Sequence, residues 1–544
     1  MSRQSSPGLR TLLVGVDGAC LPVVEPLVEA GRLPVLGDLL ERGASGRLAS
    51  QLPPWTPSAW PSLYTGTNPG KHGVFDFLAF DGYDWDVVNR THVRQPALWE
   101  LLSERGLTSV VVNVPVTSPP RAFDGALVPG YVGPESPPTH PEGLVADLRD
   151  ELGDYRVYAP RDADGDEQVE WYERLTEMRG AAFRHLADRF DPEFGFLQFQ
   201  QTDTVFHERP DDDAAVRAVY EAVDAEIGAV LDACDPDTVV LASDHGIGPY
   251  DSEEFRVNDY LRETGFVEPT RGEGGMPSWT ALHRDRRGEG GDDGARDGPS
   301  LGERLVSRAA AVGLTSQRIG RALSALGLAD LALRVVPTET VRAGTERVDF
   351  AASTAYMRSR TELGVRINLE GREPEGTVPP EDYDEVRDAL VAELRAARTP
   401  DGDPVFSAVE PREAVFDGPH VEAAADVLVV PDGFDTYLSA SLHGEAFGPA
   451  SESHNHKRHG LVAAAGDGVD AAADLADAHL FDVAPTVLSA LGVPPSTAMD
   501  GDVLPAVDAV PPADYDDFEA GPTERTDDRR VEARLADLGY IDDT

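Results

Sequence analysis

The sequence predicts an α/β fold with a largely parallel central sheet covered by helices on both faces. Short apolar runs at 10–17, 109–114, 194–199 and 238–242 read as strands. They alternate with segments of helical apolar spacing at 34–42, 96–105, 170–190 and 214–233. Three of the runs lead to an acidic residue, Asp17, Asp203 or Asp244, at the C-terminal strand ends where open α/β sheets bind ligands.

The elements follow in order. The first strand ends in Gly15-Val16-Asp17-Gly18. The helix at 34–42 stops near Gly43. Residues 47–80, rich in Pro, Gly, Trp and Thr, read as a long structured loop system. Later come strands at 426–430 and 460–465 and helices at 382–395 and 483–491. With 544 residues the chain exceeds one ordinary core. Residues 9–265 read as the first part of a catalytic α/β core and 351–510 as its second part. Between them, 266–350 read as a helical insertion or cap, with a linker at 284–294 rich in Gly, Arg and Asp and a helical pair at 301–336. Residues 511–544 read as an acidic tail with one short helix near 529–538.

Asp plus Glu number 97 against 47 Lys plus Arg, a formal charge of −50, and the only lysines are Lys71 and Lys457. The acid is spread along the chain rather than held in one block. That pattern is expected of a halophilic surface, which stays soluble where salt screens self-repulsion. It argues against nucleic-acid polymers and anionic membranes as partners. Cys20 and Cys234 form neither a disulfide framework nor a zinc spacing, and no apolar run is long enough to span a membrane. No apolar leader follows Met1, so the expected location is the cytoplasm.

The chemistry lies in segments far apart in the chain. Asp17 is a hard oxygen ligand at a strand end, although alone it is better read as a turn or cap. Asp203 and His207, four apart, share one helical face or one tight loop. Ser243-Asp244-His245-Gly246 ends a buried strand, where two adjacent titratable groups need compensation and can ligate one ion together. The late run Ser453-His454-Asn455-His456-Lys457-Arg458-His459 offers three histidines, and spacing alone does not choose among them. Three Asp and three His then make two neighbouring sites for divalent cations, zinc first and manganese as the alternative. Thr56, in Pro54-Trp55-Thr56-Pro57, adds a hydroxyl that cations would activate as a nucleophile, with Ser58 and Ser62 as competitors. The set reads as a phosphoryl-transfer centre. Lys71, His72 and Asn113 are weaker candidates for contacts to the substrate phosphate.

Together these segments resemble the alkaline phosphatase superfamily, and within it the type I phosphodiesterase/nucleotide pyrophosphatase family. The carriers are Gly15-Val16-Asp17-Gly18, Gly31-Arg32-Leu33-Pro34, Thr56, Ser62-Leu63-Tyr64-Thr65-Gly66, Pro69-Gly70-Lys71-His72-Gly73, Ser243-Asp244-His245-Gly246 and Met499-Asp500-Gly501. The resemblance implies an alkaline-phosphatase-like fold and two zinc-type ions. One ion takes Asp17, Asp244 and His245 and contacts the nucleophile. The other takes Asp203, His207 and a late histidine, which the family's spacing before Gly460 makes His456. The spacing before Gly66 makes Thr56 the nucleophile. The implied reaction is hydrolysis of a small phosphate ester, most readily a diester, through a phospho-threonine ester that water then cleaves. A phosphomonoesterase, a phosphonate hydrolase or a phosphotransferase of the same superfamily is the alternative. A non-catalytic metal-binding protein is the alternative from another class. One departure stands out: the family's Asn three residues after the nucleophile is Ala59 here. That puts nucleotide pyrophosphates in doubt as substrates.

Overall fold

The computed structural model describes residues 8–271 and 346–526, together with 531, 532 and 535. The strands that position the site are β1 (Thr11–Val16), β2 (Ala44–Ala49), β3 (Ser109–Val112), β4 (Gly125–Val128), β5 (Phe194–Phe199), β6 (Thr238–Ala242), β7 (Gly246–Pro249), β8 (His454–Lys457) and β9 (His459–Gly466). Seven of them form one sheet in the order β2-β9-β6-β1-β5-β3-β4. The five strands from β6 to β4 are parallel, with Leu13 level with Phe196 and Val240. At the other edge β9 runs antiparallel to both β6 and β2. The largely parallel sheet read from the sequence is therefore present, with an antiparallel margin.

Both faces of the sheet are covered, which is why its central strands are almost entirely apolar rather than alternating. The helices named here are α1 (Pro34–Arg42), α2 (Thr56–Thr65), α3 (Leu98–Glu104), α4 (Gly165–Phe190), α5 (Gln201–Glu208), α6 (Asp213–Cys234) and α7 (Val483–Ala490). Alternate residues of β1 feed two separate cores. Leu12, Val14 and Val16 pack with Leu36 and Leu39 of α1, Phe183 of α4 and Val223 of α6. Leu13 faces the opposite way, with Trp60 of α2, Leu98 of α3 and Val487 of α7. The period of two along the strand becomes two apolar layers.

Helix α2 was not legible in the sequence, which reads as loop there. Pro57 fits a first helical turn, but Pro61 inside the helix removes a backbone donor and argues against helix. Tertiary packing overrides this: all ten residues of α2 are buried. Gly66, with φ +66°, ends the helix in the left-handed conformation.

The second half of the chain contributes in two ways. Strands Ala355–Tyr356, Gly364–Ile367, Val427–Pro431 and Phe406–Pro411 form an antiparallel sheet of their own. Among the described residues of this half, only β9 returns to the central sheet. Residues 269–271 and 346–348 pair as antiparallel strands, so the two ends of the intervening segment meet. The linker at 284–294 and the helical pair at 301–336 lie outside the described residues. Residues 511–526 lie back on the main body. Phe518 sits under the guanidinium groups of Arg90 and Arg121, and Thr526 donates to Val87 O. Val531 and Leu535 are buried in the main core.

Asp76 ties the two halves together. Its Oδ1 accepts from Thr361 Oγ1 at 2.6 Å and from the amide of Phe77. Burial raises its pKa to about 6, above the usual carboxylate range, against the hydrogen bonds from Ser359 and Thr361. The folded state therefore favours the neutral acid. The stability this group contributes is present below the unfolded pKa near 4 and is lost as pH rises through about 6. By pH 8 the charged group costs about 3 kcal/mol at ~1.4 kcal/mol per unit. Asp76→Asn, neutral at every pH and still an acceptor, is expected to melt above the wild type at pH 8. That advantage should disappear by pH 5. A Tm difference independent of pH would contradict the assignment.

Candidate active site

The site forms where β1, β5 and β6 end. Asp17 directly follows β1, and Asp244 with His245 follow β6 after Ser243. The chain leaving β5 enters α5, which carries Asp203 and His207 on one face, one turn apart. The sequence reading places every ligand at such a strand end, but His456 arrives differently. It lies inside β8, which pairs antiparallel with β7 and sets His456 opposite Ile247. Apolar patterning does not find this strand, because His-Asn-His-Lys contains no apolar residue.

These side chains converge. His245 Nε2 lies 3.1 Å from Asp244 Oδ2 and 3.5 Å from Asp17 Oδ1. Asp203 Oδ1 lies 3.3 Å from His207 Nε2 and 3.4 Å from His456 Nε2. The two histidine nitrogens His207 Nε2 and His456 Nε2 are 3.2 Å apart. The rings of His245 and His456 stack with centroids 3.5 Å apart, which joins the two groups into one centre. Asp17, Asp244 and His245 have ligand atoms close enough to hold one ion, and so do Asp203, His245 and His456. His207 stands at the edge of the second group. His454 packs near Phe206, and His459 is exposed, so neither enters the centre.

The side chains behind the ligands fix their atoms. His245 Nδ1 faces Gly246 O at 3.0 Å, and His456 Nδ1 faces Pro54 O at 3.0 Å, so each presents Nε2 to the centre. Asp17 Oδ2 accepts from Trp60 Nε1 and from Gln198 Nε2, both at 2.9 Å. Gly15 leaves room for that indole: a Cβ there would lie 2.6 Å from the Trp60 ring. Trp60 and Gln198 were missed in the sequence. The available signal was Gln198, a lone polar residue in the buried run Phe-Gly-Phe-Leu-Gln-Phe.

The donor set fits divalent cations. Asp17 Oδ1, Asp203 Oδ1 and Asp244 Oδ2 are buried and receive no hydrogen bond. In a folded protein such carboxylate oxygens need a compensating positive charge. Burial, then Asp244 and Asp203, raise the pKa of Asp17 well above the usual carboxylate range. Burial also acts to raise Asp203, but His207 and His456 hold it well below that range. Burial, followed by the charge of His245, pushes His456 down to about 3, leaving a neutral imidazole suited to ligation.

Thr56 Oγ1 lies 3.4 Å from His245 Nε2, at the first turn of α2. Ser58 Oγ donates to Val74 O at 3.0 Å, and Ser62 Oγ faces His72 Nε2 at 2.8 Å, so both rival hydroxyls are engaged elsewhere. Lys71 Nζ pairs with Asp500 and donates to Ala498 O, away from the carboxylates of the centre. His72 is buried against Ser62. Asn113 reaches the centre indirectly: its Nδ2 donates to Gln198 Oε1 at 2.7 Å, behind Asp17.

The model of the family described as type I phosphodiesterase / nucleotide pyrophosphatase matches residues 11–461, which span β1, α2, α5, β6 and β8. The chain belongs to that family. No curated protein matches the sequence. Among solved structures, the chain resembles phosphonoacetate hydrolase from Sinorhizobium meliloti 1021 in complex with phosphonoformate. The TM-score is 0.54 at 16% identity, covering 89% of this chain and 96% of that one. It also resembles the alkaline phosphatase PafA, with a TM-score of 0.52 at 13% identity over 93% of this chain and 100% of that one. At such identities these likenesses establish the fold, which is that of the alkaline phosphatase superfamily. As a member of that family, the chain is a hydrolase of phosphoric esters. Among the described residues, no helix is long and apolar enough to cross a membrane.

Proposed function

We propose that the enzyme is a phosphodiesterase whose nucleophile is Thr56. One observation carries the reading. Thr56 Oγ1 is the hydroxyl that stands beside His245, the residue shared by both ligand groups. Asp17, Asp244 and His245 would hold one cation, and Asp203, His207 and His456 the other. Three carboxylates and three imidazoles suit zinc, with manganese tolerated. When bound, the pair supplies charge that favours the threonine alkoxide and stabilises the phosphorus centre at the transition state.

The chain's own groups do the rest. Thr56 Oγ forms a bond to phosphorus in line with the leaving oxygen, whose bond to phosphorus breaks. The hydroxyl proton is lost to solvent. The product of this step is a phospho-threonine ester with one organic arm still attached. Water then cleaves it and restores the hydroxyl. The positive end of α2 lies at the same place and favours the anionic phosphate. Trp60 and Gln198 hold Asp17 in orientation through Oδ2, which leaves Oδ1 for the cation.

The acidic surface suits strong salt, so activity is best measured there. With zinc or manganese, bis-p-nitrophenyl phosphate should be cleaved with a higher kcat/KM than p-nitrophenyl phosphate. Cleavage of the monoester alone would replace this reading with a phosphomonoesterase.

A further inference from the structure

A cavity of about 390 Å³ opens past the C-terminal ends of β3 and β5. In sheet order, Asp244, His245, Asp17 and Asp203 follow the ends of β6, β1 and β5, and the cavity begins at the ends of β5 and β3. Gln200 and Asn113, each just past one of those strands, line it. Gln201, Thr204 and Glu208 line it from α5, the helix that also carries Asp203 and His207. Helix α5 thus links the cavity to the centre.

The lining selects a chemistry. Four carboxamides face the cavity, from Asn113, Gln168, Gln200 and Gln201. Carboxamides both donate and accept, which matches the paired donor and acceptor character of neutral hydroxyls. Gln201 is only 4% exposed, and its Oε1 accepts no hydrogen bond. A buried acceptor of this kind needs a donor. Arg161 and Glu208 bring one charge of each sign, both on exposed residues, so the cavity has no net preference for an ion. The walls include Tyr131, Tyr158 and Pro160. The two tyrosine rings meet edge to face, at 68° with centroids 6.2 Å apart. They make no parallel slot for a flat base, but they offer apolar surface to the C–H face of a saturated ring.

We propose that this cavity holds the organic arm of the substrate, and that the arm is a neutral, hydroxyl-rich ring, a hexose or a cyclitol. This rests on the phosphodiesterase reading. The test uses the full-length, zinc-loaded chain in high salt with three p-nitrophenyl phosphodiesters, whose second alcohol is methanol, myo-inositol or the 5′-hydroxyl of thymidine. The expected kcat/KM for the inositol ester is at least about tenfold above that of each of the other two. Gln201→Leu should collapse that preference to within about threefold. Thr204→Val is measured in parallel, so that a folding defect in one variant does not decide the matter. A wild type with equal values, a preference for thymidine, or a preference kept in both variants would overturn the assignment. If no ester is turned over, the phosphodiesterase reading fails separately. The cavity is then judged by titration calorimetry with myo-inositol 1-phosphate. Binding weakened about tenfold by Gln201→Leu would uphold it, and equal or absent binding would overturn it.

Discussion

Thr56→Ala is expected to lower turnover of bis-p-nitrophenyl phosphate by about a thousandfold or more, with zinc content unchanged. Loss of a nucleophile removes a group that acts only on the way to the transition state, so kcat falls rather than KM rising. The side chain is buried at the start of α2, and its contact within the centre is His245 at 3.4 Å. Alanine keeps the helix and deletes little volume, so the fold should survive with a cost of about 1 kcal/mol. Two controls separate chemistry from packing. Thr56→Ser retains the hydroxyl and should keep measurable turnover. Ser58→Ala removes a hydroxyl already donated to Val74 O, and should slow the reaction far less than Thr56→Ala. Equal turnover by wild type and Thr56→Ala would remove Thr56 from the mechanism.

Metal removal should have the second large effect. Stripping the protein with a chelator is expected to abolish turnover and to lower Tm, and added zinc should restore both. Without cations, Asp17, Asp203 and Asp244 place three carboxylates in one buried site, with one oxygen of each lacking a hydrogen bond. Linkage sets the scale: free zinc at a thousand times its Kd stabilises the folded state by about 4 kcal/mol. The same experiment tests the ligand assignment. Asp244→Asn should bind fewer zinc ions per chain than the wild type, as read by elemental analysis. A chelated protein with unchanged Tm and full turnover would show that the convergence of these residues is not a metal centre.

The reasons some of this was legible in the sequence are physical. The apolar runs of β1, β5 and β6 must be buried on both faces, and each leads to polar residues that make no sense in a core unless something compensates them. That logic singled out Asp244 and His245; Asp17 and Asp203 carried weight only as members of the set. It did not find α2, because Pro61 masks a helix held by packing on all sides. It left three histidines open, because β8 has no apolar residue to mark its period, and only its pairing with β7 carries His456 inward. Trp60 was invisible for another reason. Its role depends on the gap left by Gly15, a contact between residues 45 positions apart. The substrate cavity is less legible still, since residues of the loop at 157–163 meet α5 only in the folded chain.

The most direct test of the mechanism is acid quench of the wild type during a burst of p-nitrophenol release from bis-p-nitrophenyl phosphate, followed by peptide mass spectrometry. A phosphoryl adduct on Thr56 that appears with the burst and decays with turnover is the expected result. An adduct on Ser58 or Ser62, or a burst with no adduct on the protein, would contradict the assignment of Thr56 as nucleophile.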